Sequence, residues 1–302
     1  MMNKIFSYIL FAALLMSITV GCKEDYVTYS DAEYVMFSDT LSLHPVQKDV
    51  EWFSVPVVST VSCKYDRTVA VEIIDAGSSA IEGYHYRLES NTVTIPAGQT
   101  RADVRVHGYY DRMDKDSTLT FKLSLVMPDR LQMPLYGIDT KVQMRKVGPF
   151  DINDFVGNCV VTSLFLYYYS LDSTYQRLIK TEIYPGMENT VVCRNFLYDG
   201  YDILLTFNPK DPLNPLVSVP KGQVMSDEAS VFGIVYGDNR ILIEDSPSYS
   251  SYFNSLGKFA EVWTQVYVEK LGDTFGVVGQ YYNIMEWVSD EEADRLRREE
   301  GM

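Results

Sequence analysis

Short apolar runs with a period of two, cut by Gly, Pro, Asn and Asp, recur almost from end to end of this chain. Thr92-Val93-Thr94-Ile95 and Ala102-Asp103-Val104-Arg105-Val106 alternate cleanly. Phe53, Val55, Val57, Ser59, Val61 and Cys63 form a longer row of the same kind. A period of two puts successive side chains on opposite faces of a strand. No long apolar pattern of period 3.6 competes with it. Many short strands separated by turn residues specify antiparallel sheets, so the chain is expected to be all-β.

The first residues follow a different rule. Lys4 precedes an apolar stretch from Ile5 to Val20, shorter than the run of about 20 apolar residues that spans a membrane. Residues 1–21 read as a secretory signal peptide outside the fold. Thr19-Val20-Gly21-Cys22 resembles a bacterial lipobox, with Thr19 where leucine is usual. The resemblance implies lipidation of Cys22 as the first residue of the mature chain. Lys23, Glu24 and Asp25 resemble the lipoprotein export signal of Bacteroidetes, which implies display on the outer face of the outer membrane. A multiply acylated cysteine meets the requirement for more than one chain in stable anchoring.

Residues 22–147 contain strand-like runs such as WFSVPVVSTVSC, RTVAVEII and TLTFKLSL, which fit a β-sandwich. One segment resembles the Calx-beta type of Ig-like sandwich. It carries Ala80, Gly83 and Tyr86 at a turn, then Thr-Ile-Pro-Ala-Gly-Gln-Thr over residues 94–100 and a final apolar strand. That family often holds calcium at acidic loop ends. Here His85 stands where an aspartate is usual and Tyr110 replaces one of two neighbouring acids. Asp111, Asp114 and Asp116, interrupted by Arg112 and Lys115, therefore read as a solvated hairpin turn, and no metal site is expected.

Gly148-Pro149 cannot continue a strand and marks the expected boundary between domains. Residues 150–288 hold about eight further runs joined by short turns, the pattern of an up-and-down antiparallel β-barrel. Asp-Phe-Val-Gly at 154–157 and Val-Pro-Lys-Gly-Gln at 219–223 resemble the lipocalin-like modules of uncharacterised Bacteroidetes lipoproteins. In residues 289–302, Ser289 and Glu292 predict a capping box and a short tail helix. The expected architecture is thus an Ig-like sandwich followed by a barrel.

The formal net charge of −15 argues against nucleic acid as a partner, because phosphates need Lys and Arg. The chain has three histidines, His44, His85 and His107, and none lies in a metalloprotease spacing. No nucleophile elbow or Gly-rich phosphate loop occurs. No catalytic residue and no cofactor is expected. Cys63 ends its alternating row and is expected to face a core. Cys159 and Cys193 are candidates for a disulfide, and no Cys-x-x-Cys spacing points to zinc.

Aromatic residues carry the functional signal. Tyr167, Tyr168 and Tyr169 read as strand residues on alternating faces, with Tyr175 beyond a turn. Tyr249, Tyr252 and Phe253 lie in a Ser-rich stretch, Ser246 to Ser255, that Pro247 should keep out of a central strand. Such rings can stack on the apolar faces of sugars, with Asn254 reading hydroxyls. These four residues form the candidate ligand site. The expected function is a non-catalytic surface lipoprotein that binds carbohydrate or assists a nutrient-uptake complex. The alternative is a structural or adhesive module with the sandwich as spacer.

Overall fold

The computed structural model describes residues 32–115, 117–132, 137–169, 175–232, 239–270, 274–299 and 301. The lipobox and export residues Cys22, Lys23, Glu24 and Asp25 lie outside the described residues, as does Asp116. Among the described residues the chain is nearly all β, with a sandwich first and a closed barrel after it.

In the sandwich, one sheet runs in the order β1 (Val35–Phe37), β3 (Trp52–Ser59), β7 (Arg101–Gly108), β5 (Tyr86–Leu88). The other runs β2 (Leu41–Val46), β9 (Asp139–Lys146), β8 (Thr118–Val126), β4 (Arg67–Ile74), β6 (Thr92–Ile95). All pairings are antiparallel except β2 with β9. The alternation read from the sequence is realised in the packing. Val55, Val57, Val104 and Val106 point inward from the first sheet against Val69, Phe121, Leu123 and Val142 of the second. Tyr86 and Phe121 stack across the gap at 3.8 Å between centroids.

The Calx-beta-like residues occupy the turns that need them. Gly83 donates its N–H to the Tyr86 carbonyl (2.7 Å). Gly98 has φ +76°, a left-handed conformation that costs glycine little. Its N–H donates to the Cys63 carbonyl (2.7 Å).

Two expectations for this half are corrected. Cys63 does not extend the row that starts at Phe53, because β3 ends at Ser59 and Cys63 is half-buried in the bend that follows. The cause is Arg67, a buried residue that opens β4. Its guanidinium donates to Ser59 Oγ, to the Val61 carbonyl (2.7 Å) and to the Gln99 carbonyl (2.6 Å), and so folds the chain around itself. Asp111 and Asp114 do not form a hairpin turn either. They lie on the crossover from β7 to β8, which belong to different sheets, with Asp111 in a 3-10 turn. Arg112 covers the Tyr109 ring there at 4.3 Å.

The barrel closes with eight antiparallel strands: β10 (Gly157–Ser163), β11 (Gln176–Ile183), β12 (Thr190–Arg194), β13 (Ile203–Asn208), β14 (Leu216–Ser218), β17 (Ser251–Asn254), β18 (Phe259–Lys270) and β19 (Thr274–Val288), the last pairing back to β10. A hairpin of β15 (Gln223–Ser226) and β16 (Ile241–Asp245) departs from simple up-and-down order. β18 is long enough to pair with β17 near its start and with β16 further along. The hairpin then reaches β13 through one side chain. The Gln223 amide accepts from Leu204 N–H (2.7 Å) and donates to the Leu204 carbonyl (3.1 Å), replacing a rung of backbone ladder.

Side chains fill the barrel interior. Phe155, Phe207, Phe253 and Trp287 meet at one end with ring centroids 4.5 to 6.2 Å apart. Cys159 and Cys193 are buried in this core as free thiols. β11 runs between their strands, which separates the backbones by about two strand spacings, roughly 9.5 Å, beyond the reach of a disulfide. Burial pushes both thiols up.

Leu164–Tyr169 is a helix, which corrects the strand reading of its tyrosines. Ser163 Oγ accepts from Phe165 N–H (3.1 Å), the contact of an N-cap. Phe165 and Leu166 face the core, Tyr169 packs beside Phe165 and Phe232, and Tyr167 and Tyr168 are exposed.

The tail helix spans Asp290–Glu299. Ser289 Oγ accepts from Glu292 N–H (3.2 Å), so half of the expected capping box forms. The Glu292 carboxylate turns instead to Arg295 (2.7 Å). The helix is docked: Ala293 and Leu296 are buried, and Asn158 donates to Asp290 (2.6 Å) while accepting from Arg297 (3.0 Å).

Candidate functional site

On β18, side chains alternate across the barrel wall. Ala260, Val262, Thr264 and Val266 are buried, so Phe259, Glu261, Trp263 and Gln265 lie on the outer face. Cross-strand pairing with β19 sets Tyr282 beside Trp263 and Gln280 beside Gln265. Large rings and amides are thereby presented on a wall whose other side is already packed.

The loop before β17 completes the row. Ser246 Oγ accepts from the N–H groups of Ser248 (3.1 Å) and Tyr249 (3.0 Å), which fixes a tight turn. The same hydroxyl donates to Gln280 Oε1 (2.5 Å), and Gln280 Nε2 donates to Ser248 Oγ (3.2 Å). The turn carries Tyr249 over Trp263, with centroids 4.4 Å apart and planes tilted by 30°. Trp263 meets Tyr282 at 4.9 Å. Three rings therefore stand side by side, and Tyr249 remains 53% exposed.

Polar groups surround the rings. Gln265 Nε2 donates to Glu244 Oε1 (3.1 Å). Burial, reinforced by the Glu261 carboxylate, pushes the Tyr282 hydroxyl up to about 12. It therefore stays protonated and hydrogen-bonds to Glu261. Rings offer faces to apolar C–H groups, while amides and carboxylates offer donors and acceptors to hydroxyls.

The four residues singled out from the sequence separate in space. Tyr249 belongs to the ring row. Tyr252 points outward from β17, opposite Glu261, and is 41% exposed. Phe253 points inward, 4% exposed, and is a core residue packed against Phe155 and Phe207, so it is not available to a ligand. Asn254 Oδ1 accepts from Gly257 N–H (2.9 Å) and holds the turn into β18. The loop reading of Ser246 to Ser255 is thus corrected: its second half, Ser251–Asn254, is a strand between β14 and β18. Pro247 lies before that strand and removes no donor from its ladder.

Trp263 and Tyr282 were missed as site residues, although the signal was there. Glu261-Val262-Trp263-Thr264-Gln265 alternates so that Trp263 shares its face with a carboxylate and an amide, not with the valines. Tyr175 is exposed, and residues 170–174, which join it to the helix of Tyr167 and Tyr168, lie outside the described residues.

Toward the start of β18 the outer face runs into a cleft of about 410 Å³. Phe150, Tyr252, Leu256 and Phe259 line it from the barrel side, and Lys115 and Arg145 from the sandwich. Gly148 sits at its edge in close contact with Leu256. A Cβ at residue 148 would stand 2.9 Å from Leu256 Cδ2, so a larger residue here would push the Leu256 side chain aside.

Among the described residues, no three His, Cys, Asp or Glu side chains gather as metal ligands would. No described helix is long and apolar enough to cross a membrane.

Comparison with solved structures finds distant likenesses. A Bacteroides ovatus protein of unknown function is 10% identical, with 85% of this chain and 95% of that one covered and a TM-score of 0.34. A protein described as an auxiliary nutrient binding protein from Bacteroides thetaiotaomicron is 14% identical, with 82% and 91% covered and a TM-score of 0.31. The apo form of a Calx CBD1 domain is 16% identical, with 38% and 98% covered and a TM-score of 0.32. No curated protein matches the chain. The family described as Domain of unknown function (DUF4984) matches residues 135–299, from just before β9 through the barrel to the tail helix. That match takes in more than half of the sequence, and the chain belongs to the DUF4984 family.

Proposed function

We propose that this protein is a non-catalytic carbohydrate-binding protein whose ligand stacks on Tyr249, Trp263 and Tyr282. The observation that carries the reading is the row of three adjacent rings on the outside of a barrel whose core does not need them. Gln265, Gln280, Glu244 and Glu261 supply the polar groups around it. Each aromatic contact contributes about 1 kcal/mol. Three contacts with a few hydrogen bonds give an affinity on the order of micromolar to millimolar. Copies crowded on one surface would act together through avidity.

The location belongs to the same proposal. Lipidated Cys22 anchors the protein in the outer membrane, and Lys23, Glu24 and Asp25 direct it to the outer face, where it meets extracellular glycan or an uptake complex. Cys22→Ala is expected to move the protein from the membrane fraction of the native host to the soluble fraction. Protease added to intact cells should cut the wild type; if it never does while lysed cells expose it, surface display is wrong.

Binding is tested on a glycan array and by affinity gel electrophoresis. Trp263→Ala should weaken retention by about tenfold or more, the effect of losing the central contact and the ordering of its neighbours. The melting temperature should change little, because Trp263 is outside the core. If the wild type retains no glycan, or the variant unfolds, the rings are structural.

A second reading has one observation in its favour. The barrel interior is filled by Phe155, Phe207, Phe253 and Trp287, which leaves that end without a lumen for cargo. That suits a spacer or adhesive module.

A further inference from the structure

The outer row of β18 does not stop at Trp263. Phe259 lies four residues earlier on the same face, about 13 Å away along a strand, and forms part of the cleft wall. Glu261 stands between them, lines the cleft, and bonds to Tyr282 of the ring row. The ring row and the cleft are therefore two ends of one continuous track.

The two ends differ in charge. The chain as a whole is strongly acidic, with 41 Asp and Glu against 26 Lys and Arg. Yet Lys115, Arg145 and Lys146 all line the cleft, against Glu261 as the acidic lining residue. Lys146 is committed to the sandwich: it donates to the Met113 carbonyl (2.8 Å) and lies over the Tyr110 ring. Among the described residues, Arg145 and the exposed Lys115 line the cleft without such a hydrogen bond, and Arg145 has the Asp211 carboxylate near enough to lower that group's pKa, so an acidic occupant would compete with Asp211 for Arg145. Both ring faces and cations are thus offered in one concave space of a size that holds small ligands.

We infer that the ligand is an acidic oligosaccharide, with neutral sugar faces on Trp263 and its neighbours and a carboxylate-bearing sugar in the cleft at Arg145 and Lys115. The inference rests on the carbohydrate reading of the ring row and names the class of glycan. A track of about 13 Å, four residues of strand, is long enough for an oligosaccharide to contact both ends at once. The guanidinium of Arg145 suits a carboxylate because its planar fork matches two oxygens.

The test uses tetrasaccharides of galacturonate, of mannuronate and of a glucuronate-containing glycan, each paired with its methyl ester, in calorimetric titrations with the full mature chain. Esterification removes the charge and keeps the sugar faces. The expected result is that the wild type prefers at least one acid over its ester by about tenfold at low salt, as charge-assisted contacts allow, and that the preference shrinks as salt is raised. In the Arg145→Gln, Lys115→Gln double variant the preference should fall below about twofold while ester binding is kept. Trp263→Ala should weaken acid and ester alike. Equal binding of acid and ester by the wild type overturns the acidic assignment and leaves the ring row standing. A preference that survives in the double variant overturns the role of the cleft. Binding of neither form by the wild type removes both readings. Melting curves of each variant separate lost contacts from lost fold.

Discussion

Replacing Phe155 with alanine is expected to destabilise the barrel by about 3–5 kcal/mol, the cost of a large cavity in a packed core. Phe155 is fully buried and touches four other rings: Phe150, Phe207, Phe253 and Trp287. Its place comes from a 3-10 turn, Ile152–Phe155, which the Asp151 side chain caps by accepting from Asn153 N–H (2.9 Å). Three of the neighbours, Phe207, Phe253 and Trp287, are held on different barrel strands, which limits how far they can close over the gap. Trp287 supplies the readout: its ring meets Phe155 edge-on at 4.9 Å, and its Nε1 donates to Thr181 Oγ1 (2.9 Å). Chemical denaturation followed by tryptophan fluorescence should show the midpoint shifted strongly with an unchanged slope. A midpoint within experimental error of the wild type would mean that the aromatic cluster does not hold the barrel together. Phe155→Leu should cost less, since it leaves a smaller void.

The expectation for Phe155 depends on a core that the sequence announces only in part. Alternation in Thr92–Ile95 and Arg101–Gly108 is legible because one face of each strand is apolar and the other polar. The turn residues Gly83 and Gly98 are legible because few other residues suit their backbone. Pairing order is not legible in the same way. Nothing local in Phe259–Lys270 says that one edge of β18 will serve β17 first and β16 afterwards. Leu164–Tyr169 misleads because six consecutive apolar or aromatic residues carry no polar contrast, so periods of 2 and 3.6 fit equally. Ser163 was the missing clue, as a cap placed just before that run.

The candidate site shows the same division. Tyr249 stands out in sequence because serines surround it, and it is exposed. Phe253 stands out for the same reason and is core, since a four-residue strand of alternating face needs only one inward ring. Trp263 was hidden among valines, yet its outward direction follows from counting by two along β18. A polar face that carries a tryptophan is more informative than a tyrosine-rich loop, because burial does not explain it.

His44 yields the second large effect, one controlled by pH. The ring points inward from β2, stacks on Phe53 of the opposite sheet at 4.2 Å, and shares a hydrogen bond between Nε2 and Ser42 Oγ (2.6 Å). Burial lowers its pKa to about 4, against about 6.5 in an unfolded chain. The unfolded state therefore binds more protons between those values. Stability from the neutral ring is fully present above pH 6.5 and is lost as the pH falls toward 4. Lowering the pH from 7 to 5 should cost on the order of 1 kcal/mol through this one group, because solvent reaching the half-buried ring screens part of the shift. Carboxylates also titrate as the pH falls, so the informative quantity is a difference between proteins. His44→Phe keeps a ring against Phe53 and removes the titration. The drop in melting temperature from pH 7 to pH 5 should be clearly smaller in His44→Phe than in the wild type. Equal drops would mean that the imidazole protonates in the folded sandwich as readily as in water, and that the stack on Phe53 excludes no solvent from it.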